Sequence, residues 1–355
     1  MSQRQRIRYL QTSDGVKLAW AESGTGPPLV KASNWLTHLE YDWESPIWRH
    51  WLQFFSDRRR FVRHDERGCG MTDWTTSNLS VDRWVDDLEA VIDAAAIRTP
   101  CPLLGISQGA AICVAYAVRH PERVSHLVLY GSYARGTLRR NDPEQERMYR
   151  VVSETARVGW AEPNPAFRQV FTSRFIPEAT DDQVKWFNDL CRKTTSAAGA
   201  AALLHARGMV DVTTLLGQVR TPTLVLHGRG DNVVPTAEGR LMAAGIPGAE
   251  FVELDSRNHV LLEHEPAWQR FRDAVSDFLG LAGAPATSPA FATLSPRERE
   301  ILARLTEGLS NAEIAARLGV SEKTVRNHLS HLFDKLGVWT RAQAMVFARD
   351  HGFTA

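Results

Sequence analysis

Three residues of this chain, Ser107, Asp231 and His259, stand where each could take part in nucleophilic chemistry. Ser107 lies in Gly105-Ile106-Ser107-Gln108-Gly109, Asp231 in His227-Gly228-Arg229-Gly230-Asp231, and His259 in Ser256-Arg257-Asn258-His259. A hydroxyl becomes a useful nucleophile when a base removes its proton, and an imidazole becomes that base when a carboxylate orients it. The chain order Ser, Asp, His is one in which a parallel sheet presents the three from the ends of three of its strands. Apolar Pro102-Leu103-Leu104 precedes the serine motif and Ala110 to Tyr116 follows it. Ser107 is therefore expected on a tight strand-to-helix turn, where a β-carbon at position 105 or 109 would collide with backbone.

A second concentration of functional groups lies near the other end. Lys323, Thr324, Arg326, Asn327 and His328 share the outward side of a helix expected over Ser321 to Leu336. These side chains, near the positive end of a helix, suit base edges and phosphates in a major groove. A preceding helix, Asn311 to Leu318, is joined to it by Gly319-Val320, which is helix-turn-helix spacing. Ile314, Leu318, Val325, Leu329, Leu332 and Leu336 are the expected core. Capping boxes are written at Ser295 to Glu298, Ser310 to Glu313 and Thr340 to Gln343, and Gly308, Gly319 and Gly337 separate the helices.

The elements that must position Ser107 alternate short apolar runs with amphipathic stretches from Ile7 to about Leu281. A hairpin turns at Gly15, from Ile7–Gln11 back into Val16–Ala21. Strands are expected at Leu29–Ala32, Phe61–His64, Pro102–Gly105, His126–Tyr130, Thr223–His227 and Glu250–Leu254, with helices at Val81–Ile97, Gln108–His120, Thr236–Ala244 and Pro266–Leu279. This is the pattern of a doubly wound, mostly parallel α/β sheet. Roughly ninety residues separate Tyr130 from Thr223, too many for one crossover, and they carry helical segments at Glu144–Val158, Asp181–Thr194 and Ala197–Met209. Residues about 133–218 are read as a helical lid over the sheet. The stretch 282–293 is uncharged and rich in Gly, Ala and Pro, which reads as a linker between a domain at 1–281 and a four-helix domain at 294–355.

With 42 basic and 41 acidic residues the net charge is +1, so no global field draws nucleic acid or an anionic membrane, and DNA contacts must be local. From Ala290 onward nine Lys and Arg face seven Asp and Glu, a net of +2. That is thin for a monomer whose affinity comes from phosphate neutralisation and points to a homodimer on paired half-sites. The four cysteines show no Cys-x-x-Cys spacing, and no apolar run approaches the roughly 18 residues of a membrane span. A cytoplasmic protein with no membrane partner, no metal site and no cofactor is expected.

On these motifs, residues 7 to 281 resemble an α/β-hydrolase. His64-Asp65-Glu66-Arg67-Gly68-Cys69-Gly70 resembles that fold's Asp-x-Arg-Gly-x-Gly loop, and Arg119-His120-Pro121-Glu122-Arg123-Val124 its exit from the helix after the nucleophile. The resemblance implies Ser107 as nucleophile, His259 as general base and Asp231 as its orienting carboxylate. It also implies an oxyanion hole made by backbone N–H groups of Gln108 and of the loop after Leu29–Ala32, at Trp35. Ser33-Asn34 departs from the His-Gly that many such enzymes carry there. Leu294 to Leu302, Asn311 to Ala315 and Ser321 to His328 closely resemble the LuxR/FixJ/GerE DNA-binding domain over about sixty residues. That implies a recognition helix within Ser321 to Lys335 and a dimer-forming fourth helix at Thr340 to Asp350.

Aromatic residues crowd the loop after Leu29–Ala32, and Asn34, Trp35, His38, Trp160 and Trp186 are candidate pocket residues for an aromatic or alicyclic ligand. The same rings could equally pack the loop onto the lid. Three functional readings follow. The preferred one is a DNA-binding regulator whose hydrolase-like domain senses a small-molecule effector, with RNA polymerase as a further partner; slow acylation of Ser107 is a variant of it. The alternatives are an active esterase, lactonase or C–C hydrolase with an autoregulatory DNA-binding tail, and a DNA-bound scaffold with an inert pocket.

Overall fold

The computed structural model describes residues 5–75, 78–281, 291, 293–350 and 353. The chain divides into two compact units, Met1–Leu281 and Ala282–Ala355. Apart from Phe291 and Thr293, the stretch read as linker lies outside the described residues.

The first unit is built on one eight-stranded sheet: β1 (Arg6–Gln11), β2 (Lys17–Ser23), β3 (Pro28–Lys31), β4 (Arg60–His64), β5 (Cys101–Ile106), β6 (Val124–Tyr130), β7 (Thr223–Gly228) and β8 (Glu250–Leu254). Their spatial order is β1-β2-β4-β3-β5-β6-β7-β8. β1–β2 and β2–β4 pair antiparallel, and every other pairing is parallel. Each expected strand is present, shifted at its ends by no more than a turn's residues. The central strands are buried on both faces, so alternate residues enter separate cores. Leu104, Val128, Leu224 and Leu226 enter the core on one side, and Leu103, Leu127, Leu129 and Val225 the core on the other.

Val81–Ala94 and Gly109–Arg119 cover the second of these faces through Trp84, Leu88, Val91, Ile112 and Tyr116. The first face is covered by Pro266–Phe278 and by Arg49–Ser56, a helix hidden within the aromatic run of the sequence. Trp51 of that helix packs its ring on Tyr130, Trp268 and Phe271 at 5.2, 4.8 and 4.6 Å, and its indole donates to the Leu261 carbonyl at 3.0 Å. Trp48 and Trp51 are thus core residues.

The lid comprises Pro143–Gly159, Ala166–Phe175, Asp181–Thr194, Ala197–Gly208 and the short Thr213–Leu216. Three of these match sequence expectation. Ala166–Phe175 does not, because Pro165 precedes it without a side-chain cap and its aromatic residues follow no clear stripe. The two ends of the insertion are tied together: Gly136 donates to Val210 at 2.8 Å and Val212 to Ala134 at 2.9 Å.

In the second unit, helices Pro296–Thr306, Asn311–Leu318, Glu322–Leu336 and Arg341–Asp350 surround a core of Leu294, Ile301, Leu302, Leu305, Ile314, Val325, Leu329, Leu332 and Leu336. Reciprocal capping bonds form at Ser295/Glu298, Ser310/Glu313 and Thr340/Gln343. Gly319 and Gly337 take left-handed φ of 65° and 66°, which ends their helices at little cost. Leu318 is half-buried rather than fully enclosed. Phe291, within the stretch read as linker, is buried against Phe347 and Phe353, so core-forming sequence begins before Leu294.

Candidate active site and candidate DNA-reading face

Ser107 follows β5 directly and precedes Gly109–Arg119. Its φ is +54°, and its N–H donates to the Tyr130 carbonyl at 2.8 Å, which fixes the turn to the neighbouring strand. A β-carbon on Gly105 would stand 2.5 Å from Ala110 Cα, and one on Gly109 2.9 Å from the Ser33 carbonyl oxygen. Both glycines are sterically required. Holding a non-glycine residue in this conformation costs of order 1–2 kcal/mol, sustained here by the packed strand and helix on either side.

Asp231 and His259 arrive from the ends of β7 and β8. His259 Nδ1 lies 2.6 Å from Asp231 Oδ2, and both side chains are buried. Asp231 Oδ1 accepts from the Val233 and Val234 N–H groups at 2.8 and 3.0 Å. Burial pushes the Asp231 carboxyl up. The facing His259, His227 and the backbone donor of Val234 outweigh that and hold it below its ordinary value. The imidazole is therefore oriented by an ionised partner, and its Nε2 is buried with no hydrogen-bond partner among the described residues. The lid reaches this loop as well: the His259 N–H donates to the Phe175 carbonyl at 2.7 Å, the Phe175 ring meets the imidazole edge-on at 5.2 Å, and the Glu178 N–H donates to Asn258 Oδ1 at 3.0 Å.

Ser107 opens into a cavity of about 70 Å³ beneath the lid. Trp35, Phe171, Phe175, Val152 and Leu204 make its apolar walls, and Tyr133, Tyr149, Arg140, Arg174 and Arg207 supply polar groups. Its mixed lining, mostly apolar with a few polar groups, is that of a small-molecule site. Among the described residues, neither the Gln108 nor the Trp35 backbone N–H has a hydrogen-bond acceptor within the protein.

Of the sequence candidates, the structure brings Ser107 and Trp35 to the cavity and Asp231 and His259 to each other. Four pocket candidates are placed otherwise. Asn34 is buried, with its carbonyl oxygen accepting from Lys31 Nζ and its amide directed to the Trp35 carbonyl, so it props the loop from behind. Burial lowers that lysine to about 8. His38 caps Leu39–Trp43 by accepting the Tyr41 N–H at 3.2 Å. Trp186 stacks on Tyr41 at 4.6 Å, and Trp160 stacks on the outer face of the Trp35 cluster at 5.2 Å. Each is spent on packing the loop and lid. The cavity arginines were not foreseen, since nothing in a lone arginine on an amphipathic lid helix tells which way the helix is turned.

In the second unit, Lys323, Arg326 and Asn327 are exposed on Glu322–Leu336, and Thr324 and His328 are half-buried beside them. Ser321 caps the helix by accepting the Thr324 N–H at 3.1 Å. Arg326 stands 3.6 Å from Glu322, an exposed pair weak enough to be given up for a phosphate. Behind this face, Lys335 pairs with the buried Glu298 carboxylate at 2.7 Å, joining Glu322–Leu336 to Pro296–Thr306.

Comparison with known proteins matches both units. Residues 53–267 match the family model described as serine aminopeptidase, S33, and residues 292–348 that described as bacterial regulatory proteins, luxR family. The chain therefore belongs to the serine aminopeptidase S33 family of α/β-hydrolases and carries a LuxR-type helix-turn-helix domain after it. The AB hydrolase superfamily protein YisY of Bacillus subtilis is 24% identical over 254 residues, 71% of this chain and 91% of that protein. The probable HTH-type transcriptional regulator GfsR of Streptomyces halstedii is 57% identical over 60 residues, 17% of this chain and 24% of that one. A crystal structure of a hydrolase from Pseudomonas aeruginosa superposes with a TM-score of 0.65 at 26% identity, covering 78% of this chain and 98% of that one. The LuxR-type domain implies DNA binding. Among the described residues no helix is long and apolar enough to cross a membrane.

Proposed function

We propose that this protein is a transcriptional regulator that binds promoter DNA as a homodimer on paired half-sites, and whose hydrolase domain binds a small-molecule effector in the Ser107 cavity. The observation that carries this reading is the lid-covered cavity at a strained serine, in a chain that also carries a LuxR-type reader. Regulation requires the effector to favour one conformation over another. The lid supports this, because its Phe175 and Glu178 hold the His259 loop and its Phe171, Phe175 and Arg174 line the cavity. An occupant that shifts the lid shifts the loop. The test is gel-shift titration of the full chain against fragments upstream of its own and neighbouring genes. Retardation of a discrete fragment, with an affinity that changes when a cavity ligand is added, is expected; uniform binding to all fragments would refute it.

A second reading, serine hydrolysis, is favoured by the 2.6 Å His259–Asp231 contact beside an unpartnered Nε2. Ser107 Oγ would add to an ester carbonyl carbon as its proton passes to Nε2. The resulting oxyanion would be held by the Trp35 and Gln108 N–H groups, and the imidazolium would return the proton to the leaving alkoxide. Water would then resolve the acyl-serine by the same route. A fluorophosphonate probe reads this directly. Labelling of the wild type and none of Ser107→Ala is expected, and an unlabelled wild type rules out an activated hydroxyl.

A further inference from the structure

The charges around the Ser107 cavity are one-sided. Among the described residues, three guanidinium groups, those of Arg140, Arg174 and Arg207, line it, and no Asp or Glu does. Arg207 is buried, its Nε bonded to Gln108 Oε1, its Nη2 to Glu66 and its plane 4.7 Å over the Trp35 ring. Its Nη1 is buried with no hydrogen-bond partner among the described residues. Arg140 gives its Nε to the Arg135 carbonyl at 3.0 Å and its Nη1 to Gln145 at 3.1 Å. Its nearest carboxylate, Glu238, stands 3.8 Å away and is held more closely by Arg135 at 2.8 Å. Arg174 makes one hydrogen bond, to the Asn232 carbonyl at 3.0 Å, and no ion pair among the described residues. Asp231, the remaining nearby carboxylate, is bonded to His259.

Position adds to charge. An outer cleft of about 110 Å³ is lined in part by Thr137, Arg140, Tyr149, Arg174 and Val233, all of which also line the inner chamber. Arg140 and Arg174 therefore stand at the boundary between the two spaces, with the aromatic walls and Ser107 on the inner side. We propose that the cavity selects organic acids: a carboxylate bound by Arg174 and Arg140 at the boundary, and an apolar or acyl portion lying inward along Trp35 and Phe171 towards Ser107. Burial lowers both Arg140 and Arg174 from their ordinary values, a cost that an anion placed between them would offset. Planar, two-pronged recognition of a carboxylate is what guanidinium groups do best.

This inference rests on the Ser107 cavity being the effector site, and the experiment separates the two. Full-length protein is titrated calorimetrically with hexanoate, adipate and 4-phenylbutyrate, each beside its neutral primary amide, at fixed salt. At least one acid is expected to bind about ten-fold or more tightly than its amide, roughly the worth of one charge-assisted contact. Arg174→Gln should abolish that preference, Arg174→Lys should restore part of it, and Arg140→Gln should reduce it with an unchanged far-UV spectrum. Acids and amides binding alike, or a preference that survives Arg174→Gln, overturns the proposal but leaves the cavity reading standing. No binding by any of the six compounds overturns both.

Discussion

The two units hold their chemistry in opposite ways. In the DNA-reading unit the candidate contact residues Lys323, Thr324, Arg326, Asn327 and His328 lie close together on a single helix, whose caps and αL glycines are set by neighbours three or four residues away. In the hydrolase unit, Ser107, Asp231, His259, Trp35 and the three cavity arginines come from the ends of β3, β5, β7 and β8 and from the lid. The first arrangement survives as long as one helix forms; the second exists only when the whole sheet is closed. A lesion in the hydrolase unit should therefore be coupled to folding, and one on the reading helix should not.

The largest effect expected is on chemistry. Asp231→Asn should lower the rate of fluorophosphonate labelling by about 10⁴-fold, because the imidazole loses its orienting charge, while operator affinity without effector stays unchanged. Gly105→Ala sharpens the contrast. Its β-carbon would meet Ala110 Cα at 2.5 Å, so thermal denaturation should show a loss of about 3 kcal/mol in the hydrolase unit, against little change for an exposed alanine substitution at Asn327.

Smaller is the effect of Arg326→Ala. It should weaken operator binding about ten-fold and reduce the slope of log affinity against log salt by about one, with labelling of Ser107 untouched. Loss of labelling in that variant would break the comparison. The smallest effect is pH-dependent. Burial pushes Glu298 up, but the hydrogen bonds from Lys335 and Ser295 prevail and hold it at about 2, below its ordinary 4.5. A carboxylate lowered in the folded state adds stability that is complete above about pH 5 and disappears as pH falls from 4.5 towards 2. Acid titration of the DNA-reading unit should show this loss, and Glu298→Gln should flatten it at a cost of about 1–2 kcal/mol near neutrality.

The legible parts of the sequence follow the same division. Gly105 and Gly109 around Ser107 could be read because a nucleophile on a strained turn needs small flanking residues, and the structure puts their missing β-carbons within 3 Å of backbone. Asn34, His38 and Trp186 were misread as pocket residues because an aromatic-rich loop looks the same whether its rings face a ligand or the lid. Tertiary packing turned them away, Asn34 against Lys31 and both His38 and Trp186 against Tyr41.

By itself, then, the sequence determined whatever depends on near neighbours: strand and helix periods, the four-helix reader with its caps, the elbow at Ser107, and the chain order of Asp231 and His259. Only the tertiary structure decided which way each lid helix is rotated and where the segment before Pro143–Gly159 runs, and hence that Arg140, Arg174 and Arg207 line one chamber with Ser107. The reason is physical. Helix formation is settled by local hydrogen bonds and backbone preferences, but the face a helix buries is settled by the surface it lands on, and the lid lands on a sheet assembled from residues on both sides of it in the chain.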